Sequence, residues 1–170
     1  MLLTFGTDKI EPVNTSETPN PVYGLHDYTL GGGKGSSAQA ASSFNDMIEK
    51  AFGRPRDAKQ FAEWAQWINY DGYRAIFEGR SEHRRGMLLW MSHSAWPSMV
   101  WQTYDYYFDP NAAYFGCKKA SEPLHIQWNP LRDDIEVVNY HAFDRTGLTA
   151  TASLFNQDGT LQWTRETKLD

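Results

Sequence analysis

Cysteine is nearly absent from this chain: Cys117 stands alone among 170 residues. A lone thiol excludes an internal disulfide framework and any cysteine-built zinc cluster. Long apolar runs are missing too. Nothing approaches the roughly 18 consecutive apolar residues of a membrane-spanning helix, so no membrane partner is expected. Basic charge is scarce, with 16 Lys and Arg against 21 Asp and Glu and a formal net charge of −5. That balance argues against a nucleic-acid partner, because a polyanion calls for a basic face. His26, His93 and His125 show no metal-ligand spacing, and neither a metal site nor a cofactor is expected. There is no internal repeat and no low-complexity tail. Met1–Gly6 lacks the basic start and apolar core of a secretion signal, so the chain is expected to be either cytoplasmic or a piece whose export signal lies elsewhere.

Aromatic residues, by contrast, are abundant at 15% of the chain, with 7 Trp and 9 Tyr. Such rings fill cores, and they also stack on sugars or bases. With a negative chain, sugars are the better match.

Residues 1–37 read as loop, punctuated by Pro12, Pro19 and Pro21. Asn14-Thr15-Ser16 fits a glycosylation acceptor, a pattern common by chance. Leu30–Ser37 has the glycines and lysine of a phosphate loop. However, Gly35 follows Lys34 where Ser or Thr is required, and no strand precedes it; a glycine loop entering a Ser-capped helix is the plainer reading. Spacing predicts a helix over Ser36–Phe52, stopped by Gly53 and Pro55. Asp57 then caps a longer helix that buries Phe61, Trp64, Ala65, Ile68, Gly72, Ala75 and Ile76 on one face. Ser81–Arg85 is a charged link.

The stretch Gly86–Ser98 stands out. Met87–Met91 is an unbroken apolar run, short enough for a strand buried on both faces. It opens at once into Ser92, His93, Ser94 and Trp96, as barrel strands do where they reach an active-site rim. Asp109-Pro110 is expected to start another helix, running to Lys118 and Lys119. Past Glu122 the period becomes two. Short strands are expected at His125–Pro130, Ile135–Tyr140, Leu148–Phe155 and from Leu161, with a turn at Asn156–Gly159. Only about four strands fit where a sandwich needs roughly seven, and one barrel strand cannot close a barrel. The chain therefore reads as a piece of a larger protein.

The run Trp90–Tyr107, with its continuation Ala113–Gln127, resembles the last barrel strand and following helix of glycoside hydrolase family 2, in its β-mannosidase and exo-β-glucosaminidase branch. Tyr23–Asp27 and Ala65–Gly72 fit the same branch. The resemblance implies an α/β portion followed by an all-β one: the C-terminal part of a (β/α)8 barrel in residues 1–121, then the first strands of an immunoglobulin-like sandwich in 122–170. It implies retaining hydrolysis of β-mannosides or β-glucosaminides by two glutamates, and a carbohydrate substrate held jointly with the rest of the parent polypeptide. No catalytic residue is assigned within this chain. Ser16-Glu17-Thr18 echoes the family's nucleophile setting, yet Pro19 replaces the expected glycine and no apolar strand surrounds Glu17. The expected substrate-binding residues are Trp90, stacking beneath the sugar, with Trp96, His93 and His26 around it. Each also has a plainer reading, as core filler for the tryptophans or a hydrogen-bonded rim residue for the histidines. Asp105 and Tyr104 are expected to hold the final helix in place. A non-catalytic glycan- or protein-binding module is the alternative.

Overall fold

The computed structural model describes residues 7–13, 15, 17–18, 20, 22–23, 46–79, 86–95, 97–98 and 102–169. The glycine loop at 31–35, the expected helix start at Ser36, and both His26 and Trp96 lie outside them. The chain divides into two compact units, Met1–Lys119 and Ala120–Asp170.

The first unit holds α1 (Thr7–Ile10), a helical stretch at 46–52, α2 (Ala58–Glu78) and α3 (Ala112–Ala120). Asp57 caps α2 as its position before the apolar period predicts: extended at φ −154°, it accepts the Gln60 N–H at 2.8 Å. A second carboxylate, from Glu11, accepts the Ala58 N–H at 2.7 Å and straps the N-terminal segment to the helix start. The core behind these caps comprises Ile10, Val13, Tyr23, Ile48, Ala58 and Phe61, with Trp64, Ala65 and Ile68 packed on it. Tyr23 meets Phe61 edge-on at 5.5 Å and donates its hydroxyl proton to the Ile10 carbonyl. Asn20 closes the segment from within, donating to the Lys9 and Pro12 carbonyls while accepting the Val22 N–H. Only the first half of the expected α2 stripe is covered. Gly72, Ala75 and Ile76 are exposed.

Two expectations need correction. Gly86–Met91 is not a strand: its residues are irregular and exposed, Leu88 at 95% and Trp90 at 78%. An extended run needs a neighbour for its N–H and C=O groups. No strand among the described residues of this unit offers one. Met91 ends the run in the left-handed region at φ 63°. The second correction concerns α3, which begins at Ala112 with Asn111 as its cap; the Asn111 Oδ1 accepts the Ala113 and Tyr114 N–H groups. Asp109 and Pro110 lie before it because Pro110 is used in an antiparallel bridge to Tyr104.

The second unit contains two separate antiparallel pairs. Strands β1 (Leu124–Asn129) and β2 (Asp134–Asn139) run in register from Leu124 opposite Asn139 to Asn129 opposite Asp134. Strands β3 (Leu148–Phe155) and β4 (Leu161–Leu169) pair from Leu148 opposite Leu169, with an irregularity at Leu154/Phe155. Gly159, at φ 84°, supplies the left-handed residue of the connecting turn. All four strands predicted from the period of two are present. In the first pair, however, the polar residues His125 and Gln127 face inward and are buried, while Ile126, Trp128 and Ile135 point outward and are exposed. The cross-strand pairs Ile126/Val137 and Trp128/Ile135 thus form an open apolar stripe.

Candidate functional site

His93, one of the residues expected to meet substrate, lies in the loop that begins at Ser92, where the apolar run ends. This loop is clasped by the segment that follows it. The Ser92 carbonyl accepts three hydrogen bonds: from the Thr103 N–H at 3.0 Å, the Tyr104 N–H at 3.0 Å and the Thr103 hydroxyl at 3.1 Å. Gln102 donates its amide to the Ser98 carbonyl, and Asn111 donates to the Gln102 carbonyl at 2.6 Å. Ser94, Gln102 and Thr103 are all buried. Three donors on one carbonyl, beside the buried Ser94, Gln102 and Thr103, fix the backbone at His93.

His93 pairs with Tyr104 through a parallel bridge, and its ring enters an aromatic stack. It lies nearly parallel to Phe108, with centroids 4.2 Å apart and planes 15° apart, and to Tyr106 at 6.5 Å and 12°. His93 Nε2 lies 3.3 Å from the Tyr106 carbonyl. The stack is set by a turn built on Asp105. Its Oδ1 accepts the Tyr107 and Asp109 N–H groups at 2.8 and 3.0 Å, and its own N–H donates to the Asp109 carbonyl. This tight turn places Phe108 at φ 67°, a left-handed conformation that a bulky residue rarely adopts. Phe108 remains 72% exposed.

Of the expected site residues, Trp90 is highly exposed and lies three residues before His93, whereas His93 is half-buried against Phe108. Trp96 and His26 belong to the segments outside the described residues. Tyr104 and Asp105 do anchor the approach to the last helix, Tyr104 by bridging both His93 and Pro110. The residue pattern marks Asp109 only as a helix start and assigns no site role to Phe108 or Tyr106. The available signal was the Asp105–Asp109 spacing around three aromatics, which reads as a carboxylate-nucleated turn.

Other reactive groups are occupied elsewhere. Glu17 forms a two-point ion pair with Arg54, which also approaches Glu49 at 3.7 Å. The hydrogen bond that Arg54 donates to Glu17, then the charge of that carboxylate, raises the Arg54 guanidinium pKa above its ordinary value. Burial pushes the Cys117 thiol up, away from the reactive thiolate. Burial, followed by the charge of Cys117, likewise raises the Tyr73 phenol. Among the described residues no group of three or more His, Cys, Asp or Glu side chains could hold a metal ion, and no helix is long and apolar enough to cross a membrane.

No family model matches the chain. Among curated proteins, an exo-β-D-glucosaminidase of Amycolatopsis orientalis is 40% identical over 124 residues, which is 69% of this chain and 12% of that protein. A mannosylglycoprotein endo-β-mannosidase of Lilium longiflorum is 32% identical over 148 residues, covering 85% of this chain and 15% of its own length. The crystal structure of the Amycolatopsis orientalis exo-chitosanase CsxA superposes with a TM-score of 0.67 at 38% identity, over 72% of this chain and 15% of that one. A CsxA complex with a nitrophenyl β-D-glucosaminide superposes over 94% of this chain with a TM-score of 0.71 at 30% identity. The chain thus spans only about an eighth to a seventh of the curated relatives it matches.

Proposed function

The chain is related to the exo-β-D-glucosaminidases and β-mannosidases of glycoside hydrolase family 2, and from that kinship we propose that it is the C-terminal end of the catalytic barrel of a retaining β-glycosidase, joined to the first strands of an immunoglobulin-like domain. The observation that carries this reading is the match to Amycolatopsis orientalis exo-β-D-glucosaminidase, 40% identical over 124 residues. Three features of the fold support it. The division between Lys119 and Ala120 falls close to the proposed barrel end at residue 121. The run Met87–Met91 is apolar and exposed, as a segment would be that neighbouring barrel strands cover in the parent. The β1–β2 pair carries an open apolar stripe, as one sheet of a sandwich would without the sheet that covers it.

In this reading the two glutamates of retaining hydrolysis belong to the parent polypeptide beyond these residues. Glu17 is tied up by Arg54, and none of the described residues around it is in a strand. The contribution of this chain is to hold substrate. Trp90 offers its indole face to the apolar face of the sugar, while His93, Trp96 and His26 supply the polar and aromatic rim. The substrates are β-linked glucosaminides or mannosides.

A chimera tests the proposal. This chain replaces the homologous stretch of the Amycolatopsis enzyme, and hydrolysis of nitrophenyl β-D-glucosaminide is measured. The chimera is expected to turn over, and the isolated chain is not. A folded but inactive chimera overturns the assigned role. Turnover by the isolated chain overturns the placement of the glutamates.

A further inference from the structure

The two ring nitrogens of a histidine are not equivalent, and at His93 the fold tells them apart. Nε2 lies 3.3 Å from the Tyr106 carbonyl oxygen, which can only accept, so in the neutral imidazole Nε2 carries the hydrogen. That leaves the lone pair on Nδ1, which makes no hydrogen bond among the described residues. The ring is also held in direction. It lies nearly flat on Phe108, with centroids 4.2 Å and planes 15° apart, and nearly parallel to Tyr106 at 6.5 Å and 12°. Its backbone is fixed by the bridge to Tyr104 and by the three donors on the neighbouring Ser92 carbonyl. A ring so held, with one nitrogen engaged, offers a single acceptor in a set direction.

We propose that His93 Nδ1 is a specificity-determining acceptor of the glycosidase site, taking a hydrogen bond from a hydroxyl of the bound sugar. This rests on the reading of the chain as a β-glycosidase segment, and it adds to the rim role of His93 the atom used and the sense of the bond. Acceptors are scarce beside it. The indoles of Trp90 and Trp96 can only donate, and the Ser92 carbonyl is already filled by three donors. A site that hydrogen-bonds a substrate hydroxyl discriminates against analogues that lack it. Protonation turns Nδ1 into a donor, so binding through it is lost when the imidazole takes up a proton. The titratable groups of the segment packed on the ring are the Tyr104, Tyr106 and Tyr107 phenols and the Asp105 and Asp109 carboxylates. None of them hydrogen-bonds the imidazole through its side chain, and the Asp105 Oδ1 serves the Tyr107 and Asp109 N–H groups instead.

Two measurements test this. In the whole chain, imidazole nitrogen NMR at alkaline pH reports the tautomer. Nε2–H is expected, and an Nδ1–H tautomer overturns the proposal. In the chimera, hydrolysis of nitrophenyl β-D-glucosaminide is followed with His93 replaced in two ways. His93→Gln carries its amide to the Nε2 position and leaves the Nδ1 position empty; it should raise KM about fivefold, one hydrogen bond's share, with little change in kcat. His93→Asn puts a side-chain oxygen at the Nδ1 position and should recover most of that loss. As the pH falls, KM of the unsubstituted chimera should rise relative to that of His93→Asn, whose amide does not titrate. The substrate's own ionisation is common to both and cancels. An active chimera overturns the proposal, and leaves the family role in place, if His93→Gln does not move KM, if His93→Asn recovers nothing, or if the two KM profiles run parallel at every pH. A folded but inactive chimera overturns the family role, and with it the ligand assigned here, even where the tautomer is Nε2–H.

Discussion

Gly116 of α3 lies directly against the backbone carbonyl of Tyr70 in α2, leaving no room for a side chain. A Cβ at Gly116 would stand well inside the permitted approach to the Tyr70 oxygen, 3.1 Å from the Arg74 nitrogen and 3.3 Å from the Tyr70 carbonyl carbon. The two helices therefore touch backbone to backbone at this point.

Gly116→Ala should thus destabilise the first unit by about 2 kcal/mol, the cost of overpacking against backbone less the gain in helix propensity. Gly72 is the matched control, since a Cβ there meets nothing within 4 Å. Gly72→Ala should stabilise by up to about 1 kcal/mol. Denaturant melts of the two variants should shift in opposite directions.

Helix α2 should fray in acid. The Asp57 pKa is lowered first by its hydrogen bond from the Gln60 N–H and then by that from Arg56. A depressed folded-state pKa means that the stabilisation is fully present above the unfolded value of about 3.9 and is lost as pH falls through the folded one. Helical ellipticity should drop in that acid range. Asp57→Asn keeps the cap and should remove this part of the pH dependence.

Removing the Asn111 cap should cost about 1–2 kcal/mol, because Asn111→Ala strands the Ala113 and Tyr114 N–H groups and also loses the donor to Gln102. Asn111→Asp keeps the cap alone and should fall between the two. Thermal melts followed by circular dichroism would rank the three.

In the chimera, Trp90→Ala should lower kcat/KM roughly tenfold by removing the stacking face. Trp163→Ala, on β4, should leave it unchanged. Glu17→Gln should also be silent in turnover, because its carboxylate serves Arg54. A large loss of kcat in Glu17→Gln would return the nucleophile to this chain.

The free chain should bind a hydrophobic dye. Leu88, Trp90, Trp128 and Leu131 are all more than half exposed, and such patches recruit dye when uncovered. Replacing Leu88 and Trp128 with Ser should reduce the signal. A sharp melt without dye uptake would speak against missing neighbours.

Much of this was legible in the order of residues. The Asp57 cap, the four strands and the turn at Asn156–Gly159 follow from local periodicity and turn chemistry, which act over a few residues and so can be read along the chain. Leu148–Phe155 matches its expected bounds to the residue, and its burial alternates from Leu148 to Ser153 before Leu154 breaks the pattern. Helix α3 starts at Ala112, past the Asp109-Pro110 start that the residue pattern predicts. Asp109 and Asn111 suit a cap equally, and the choice went to Asn111 because Pro110 is drawn into its bridge with Tyr104. The exposure of Gly86–Met91 was invisible locally, since an apolar run does not state who covers it.

The sequence by itself determined the helix capped by Asp57, the four strands past Glu122 and the family kinship, because these reside in residue identity and short-range spacing. Only tertiary structure decided that Ser92 is clasped by Thr103 and Tyr104, that Gly116 must be bare against Tyr70, and that Phe108 lies over His93. Those relations join residues 11 to 46 positions apart. They depend on how backbones meet in space, and no local pattern of side chains encodes that distance.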